Sequence, residues 1–469
     1  DPQPFDPRAL VDETVALMAP LARQKGLAFH ADVSPDLPGG LVGDANRIAQ
    51  ILTNLLANAI KFTERGSVKL RVAALAPTGL ALEVSDTGPG LSEEQAARLC
   101  TVAPFHANDQ RSEAARLIAE RAPGDLNMVF FTAGGAEATE NALRMARLHT
   151  GRHKILTTYR SYHGATGGAI QLTGDPRRWP SEPGLPGIVK FWGPYPYRSA
   201  FHSSSDVEES QRALQHLRDT LMVEGPQTVA AIMLESVVGT NGILVPPPGY
   251  MAGVREICDE FGIVFIADEV MAGFGRCGEW FAIDNWKVAP DLICFAKGVN
   301  SGYLPLGGVI ISDRIADTFR ERQFPGGLTY SGHPLACAAA VASINIFEEE
   351  GIIENARHLG RDIIGPELEK LKAKHPSVGD VRGVGVFWAI ELVRNRETRK
   401  PLVPFNAAGA DAKPMLDFAA ECKKRGLWPF THFNRTHVVP PCNATPDEVR
   451  EGIAIIDEAL TIADSFYEG

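Results

Sequence analysis

The chain has 469 residues, 45% of them hydrophobic and 22% charged, with 46 Lys+Arg against 57 Asp+Glu for a net charge of −11. At about 150 residues per domain this leaves room for roughly three units, and the composition excludes a disordered, collagenous or disulfide-scaffold chain. A pI near 5.6 argues against nucleic-acid binding, which needs a basic face, but allows a small anionic ligand at a local site.

Taken in chain order, residues 5–30 predict an amphipathic helix with Leu10, Val11, Val15, Leu17, Met18 and Leu21 apolar, followed by a strand around Leu27–Val33. A second helix over Arg47–Phe62 carries Gln50, Asn54, Asn58 and Lys61 at spacings of four, four and three, so they share one stripe. Strands Ser67–Ala74 and Leu80–Ser85 follow, ending in Asp86-Thr87-Gly88-Pro89-Gly90-Leu91. Carboxamides on such a stripe can hold magnesium and phosphates, and a strand-end Asp can accept from a base amino group; the plainer alternative is a solvated helix face beside a turn. The segments "NLLANAIKFT" and "DTGPGL" resemble the N box and first glycine box of the ATP-binding domain of sensor histidine kinases. By that resemblance Asn58 is the magnesium ligand, Asp86 the adenine contact, Asn54 a further nucleotide residue, and Gly88 and Gly90 let backbone approach the nucleotide. No second glycine box and no phosphoacceptor helix follow or precede, so residues 1–100 are expected to be a truncated ATP/Mg-binding domain without kinase activity. The chain begins Asp1-Pro2 without Met, and is expected to be a piece of something longer.

Beyond residue 100 the pattern alternates strand and helix, as in an α/β domain with a mainly parallel sheet. Predicted strands are Met128–Thr132, Lys154–Thr158, Gly187–Phe191, Val229–Leu234, Ile263–Ala267, Leu292–Ala296 and Gly308–Ser312. Predicted helices are Glu137–His149, Asp206–Val223, Pro248–Phe261 and Pro334–Glu350. From 345 the pattern is mixed, with a strand pair around Val378–Leu392 and a last helix Asp447–Ala463. The expected division is therefore 1–100, 101–344 and 345–469.

Three strand ends carry chemistry. In "GIVFIADEVMAGFGR" an apolar run ends at Asp268-Glu269, where α/β proteins place their ligands. In "DLICFAKGVNSGY" Lys297 follows a second buried run, and apolar flanks are expected to desolvate its amine and keep it available as a nucleophile. In "VFFTAGGAEATENAL" a small-residue turn opens a helix, a cradle for phosphate without the Walker or dinucleotide fingerprint. Each taken alone also reads as an ordinary strand end.

D-E-V-x-x-G-F-G-R followed by D-L-I-C-F-A-K, with 29 residues from Asp268 to Lys297, resembles the signature of class III pyridoxal-phosphate aminotransferases. The resemblance runs from about Ala103 to the C-terminus. It implies an α/β fold of PLP-dependent transferase fold type I, a large domain with a mainly parallel sheet plus a small α+β C-terminal domain, here preceded by a partial α/β sandwich of the histidine kinase ATPase type. It implies that Lys297 binds the cofactor aldehyde and moves the proton, that Asp268 pairs with the pyridine nitrogen, and that Val270 lies under the ring. Gly135 and Ala136 stand at the phosphate positions; Ala136 replaces a common serine. Tyr162 in "RSYHGAT" is the ring-stacking tyrosine, Glu235 a glutamate close to the cofactor, and Thr329 in "GGLTYSGHPLACAAA" a contact to the neighbouring subunit's phosphate, which implies a homodimer. Arg435 in "FNRTHVVPPC" is either the holder of a substrate carboxylate or a surface arginine on a strand.

The function expected is a PLP-dependent transaminase moving an amino group from an amine or ω-amino acid to a 2-oxo acid such as pyruvate. The alternatives are an ATP-binding signalling protein and a non-functional chimera of the two. Seven scattered cysteines without a CxxC pair read as reduced thiols of a cytoplasmic protein, and no apolar stretch is long enough to span a bilayer.

Overall fold

The computed structural model describes residues 3–43, 45–75, 79–87 and 108–469. The chain divides into two compact units, Asp1–Leu99 and Cys100–Gly469.

In the first unit, helices Pro7–Gln24 and Ala45–Phe62 pack on a three-stranded sheet. Its strand Ala28–Val33 pairs parallel with Ser67–Leu75, which pairs antiparallel with Gly79–Asp86. Val11, Met18, Leu52, Leu56, Val68 and Leu70 form its core. The first helix stops at Gln24 rather than running to residue 30, because Gly26 takes φ +78, where a helix cannot continue. Asp6 caps its start by accepting from the Arg8 N–H at 2.9 Å.

The second unit is built on a seven-stranded sheet. In spatial order its strands are Leu126–Thr132, Gly307–Ser312, Leu292–Phe295, Val264–Asp268, Val229–Glu235, Lys154–Thr158 and Ile188–Phe191. Gly307–Ser312 runs antiparallel to both neighbours, while the other pairings are parallel. Alternate side chains feed two cores, as a sheet covered on both faces requires. Phe265, Ala267, Ile293 and Phe295 join the core with Val254, Ile257 and Ile344; Val264, Ile266, Leu292 and Cys294 join the other, with Ala138, Leu143 and Ala146 of helix Gly135–Thr150. All seven predicted strands are present, with ends shifted by two residues at most.

From residue 378 the strands change sheet. Val378–Val384, Phe387–Asn395, Arg435–Val438 and Phe430–His432 form an antiparallel sheet, with Lys400–Pro401 added on Phe387–Asn395. Its core gathers Leu368, Ile390, Phe418 and Ile456. The last helix, Pro446–Asp464, opens with a reciprocal cap: Glu448 accepts from the Thr445 N–H at 2.8 Å and Thr445 Oγ1 from the Glu448 N–H at 3.3 Å. Among the described residues no helix is long and apolar enough to cross a membrane.

Candidate active site

Asp268 ends its strand with the parity of Val264 and Ile266, so its side chain falls on the face covered by helix Gly135–Thr150. Glu235 stands beside it, since the parallel register pairs Asp268 with Glu235. Asp268 Oδ1 accepts from the Val270 N–H at 3.0 Å and Oδ2 lies 2.7 Å from His163 Nδ1. An ionised carboxylate can only accept, so Nδ1 carries the proton and His163 Nε2 faces the Thr157 hydroxyl at 3.1 Å. Glu235 Oε1 accepts from the Tyr162 N–H at 2.9 Å and Oε2 from the Gly239 N–H at 2.8 Å. Burial pushes the Glu235 carboxyl above its ordinary range, with the Asp268 charge adding and His163 opposing.

Lys297 follows the neighbouring strand Leu292–Phe295 and begins a short 3₁₀ turn with φ +43. The desolvated lysine expected from its flanks is not found: Ala296 is buried, but Lys297 itself is exposed. It lines a cavity of about 740 Å³ together with Ala133, Gly135, Ala136, Tyr162, Asp268 and Val270. A second cavity of about 1010 Å³ touches Lys297 as well, and Met271 and Gly302 line both.

The turn Ala133–Ala136 forms the cavity wall at the start of helix Gly135–Thr150, whose first N–H groups have no side-chain cap. An uncapped N-terminus of sixteen residues offers aligned donors and positive potential to an anion. Close approach is enforced here: a Cβ on Gly135 would meet Val270 Cγ1 at 2.7 Å, and one on Gly164 (φ +132) would meet Ala136 Cβ at 2.7 Å. A phosphate cradle, a fixed carboxylate and a lysine amine in one cavity fit a ligand carrying a phosphate, a basic ring nitrogen and an aldehyde.

The other sequence-derived residues divide. Tyr162, Glu235 and Val270 line the same cavity. Thr329 is exposed and lies outside that lining. Arg435 is neither on the surface nor in the cavity. It is 2% exposed, faces Glu391 across the antiparallel pair, and donates to the Asn241 carbonyl at 2.8 Å. Burial pushes it down to about 10, against the pull of Tyr195 and Glu391. Glu391 also takes Arg198, Tyr195 and Arg382 as partners, so Arg435 belongs to a packed charge cluster. Phe430, from the same hairpin, is the residue that reaches the cavity.

Cavity residues that the sequence does not single out include His163 and Arg177. His163 lies inside the quoted segment "RSYHGAT", one residue past Tyr162; Arg177 lies in "GDPRRW". In the first unit, Asp86 is exposed at a strand end and accepts from Thr63 Oγ1 at 3.2 Å. Asn54 and Asn58 stand in helix Ala45–Phe62, with side chains outside the described set; Gly88 and Gly90 lie outside the described residues.

Residues 91–460 match the family model "Aminotransferase class-III". Residues 43–117 match "Histidine kinase-, DNA gyrase B-, and HSP90-like ATPase". A probable aminotransferase of Mycobacterium tuberculosis is 41% identical over 298 residues, covering 61% of this chain and 63% of its own length. The putrescine–pyruvate aminotransferase of Pseudomonas aeruginosa is 40% identical over 358 residues, covering 74% and 76%. Among solved structures, the taurine:2-oxoglutarate aminotransferase of Bifidobacterium kashiwanohense, in complex with PLP and glutamate, superposes with TM-score 0.76 at 42% identity, over 79% of this chain and 83% of that one.

Proposed function

The chain belongs to the class III aminotransferase family, and from that premise we propose that it transfers an amino group from an amine or ω-amino acid to a 2-oxo acid, with pyridoxal phosphate as cofactor. The observation that supports it most is the cavity shared by Lys297, Asp268 and the uncapped helix start at Gly135 and Ala136. Pyridoxal phosphate, when bound, supplies an aldehyde that condenses with amines and a protonated ring that withdraws electrons. Asp268, held by His163 and by the Val270 N–H, keeps the proton on the ring nitrogen, because a nearby fixed carboxylate favours the cationic form. The Gly135–Ala136 turn takes the phosphate at the helix N-terminus. Val270 would give the cofactor ring an apolar neighbour in the cavity wall, and Glu235 fixes Tyr162 through its backbone N–H. Lys297 moves the proton at the substrate carbon, a task that needs an amine free to swing within the cavity rather than one locked in an ion pair.

Pyruvate is the acceptor we favour, as the name of the Pseudomonas relative has it; the name of the Bifidobacterium structure gives 2-oxoglutarate, so both are to be assayed. The site is expected to work in a homodimer in which Thr329 reaches the partner's phosphate. We take 101–344 as the cofactor domain and 345–469 as the smaller one. For residues 1–100 we propose a partial ATP/Mg site around Asp86, with the family match over 43–117 in its favour. Labelled ATP should then bind saturably and only with magnesium; no such binding removes this part.

The deciding experiment is an absorbance spectrum of the purified chain with added cofactor. A visible band that survives gel filtration, disappears on borohydride reduction and is missing in Lys297→Ala supports the reading. Identical spectra for the wild type and the variant would sink it.

A further inference from the structure

We propose that Arg177 is the residue that binds the acid group of the substrate, an inference that rests on the transaminase reading. Besides Lys297, Arg177 is the one cationic side chain among the described residues of the 740 Å³ cavity. Two carboxylates share the lining with it, Asp268 and Glu235, and both are committed: Asp268 to His163 and Glu235 to backbone N–H groups. With the helix start assigned to the cofactor phosphate and Lys297 to the amine chemistry, Arg177 is the cation of that wall left for an acidic substrate.

Arg177 is held ready for this. Its guanidinium carbon lies 3.6 Å from the centroid of the Tyr162 ring, a close cation–π stack. Its Nε donates to Asp175 Oδ2 at 2.9 Å, its second amino group to the same carboxylate, and its backbone N–H to Asp175 Oδ1 at 2.9 Å. Asp175 is itself buried and tied to Asn241 Nδ2 at 3.2 Å. The same Asn241 accepts from Arg435 at its backbone carbonyl, which links Asp175 to the charge cluster around Glu391. The fork is thus fixed on one edge, while Nη1 makes no hydrogen bond among the described residues and the side chain stays 42% exposed.

A purely local tie between neighbours two residues apart would not need the guanidinium in the cavity wall. A planar fork with one free edge matches a carboxylate or sulfonate. Phe430, in the same lining, is apolar and suits the carbon chain between amine and acid. Donor and acceptor occupy this cavity in turn, so either acid group can use the fork.

The test uses the full chain and Arg177→Gln, with Arg177→Lys as a second variant. The ratio of kcat/KM for an acid-bearing donor over an acid-free amine should fall roughly tenfold to hundredfold in Arg177→Gln, the size expected for losing a charge-assisted bidentate contact. Arg177→Lys, which keeps the charge and loses the fork, should fall between. The KM for pyruvate, measured with the acid-free amine, tells whether the acceptor shares the site: a rise assigns the acceptor's acid to Arg177 too. Calorimetric titration with glutarate, an unreactive diacid, should show binding weakened by a similar factor. Ratio, KM and glutarate affinity all within about twofold of wild type would overturn the proposal, as would a wild type that does not bind glutarate. A chain without the cofactor band fails the transaminase reading instead, and the glutarate titration still decides Arg177.

Discussion

Glu269, one residue past Asp268, faces the opposite way and does a different job. Its carboxyl accepts from the Ala282 N–H at 2.9 Å, the Ile283 N–H at 2.8 Å and the Ser236 hydroxyl, anchoring the loop after the strand. Burial pushes it up to about 7 from an ordinary 4.5. The folded acid thus holds a proton that the unfolded chain has released, so its stabilising share is complete below about pH 4.5 and is lost as pH rises through about 7. That share is about 3 kcal/mol, and Glu269→Gln, with no proton to release, should flatten the fall; urea unfolding at about pH 5 and about pH 8 measures it. Asp268→Asn should cost on the order of a hundredfold in kcat, and His163→Asn about tenfold in cofactor affinity, read by titrating the visible band. Lys297 and Asp268 were legible because each ends an apolar run in a long local pattern. His163 was not, since its partner lies 105 residues downstream and meets it only through the order of the sheet. Arg435 was misjudged for a similar reason: its burial depends on the register that sets it opposite Glu391.

The turn containing Tyr162 and His163 and the helix Gly135–Thr150 meet where neither can carry an extra methyl group. Gly164 has φ +132, and a Cβ there would come within 2.9 Å of the Ala136 backbone. Gly164→Ala should cost about 1–3 kcal/mol of stability and loosen the phosphate turn, seen as an earlier urea midpoint and weaker cofactor retention. Strands of the large sheet were readable because continuous apolar runs such as Ile263–Ala267 are what a sheet buried on both faces demands. The strand Phe430–His432 is not readable, and Arg435–Val438 only as one of two alternatives, because both are short and mix polar with aromatic residues. The first helix was overextended because leucines and alanines run past Gln24, while Gly26 decides where it stops.

At the scale of the molecule, Tyr303, Tyr330 and Leu335 are 79%, 64% and 53% exposed, and Thr329 lies among them in sequence. Large apolar side chains left open near Thr329, the residue proposed to reach a partner's phosphate, favour burial against a second copy. Light scattering should therefore give about twice the 50.6 kDa of one chain. Leu335→Glu, which puts a charge at that surface, should halve the mass and weaken the visible band together; a variant that keeps both would speak against the dimer. Lys297 has a further consequence through its position between the two cavities. The lysine stands in a wall common to both cavities, with Met271 and Gly302, rather than at the bottom of one. A donor tail that passes the Lys297 amine has a second cavity to enter instead of folding back on itself. Rates along a series of terminal diamines should therefore decline gently with chain length, without a cutoff.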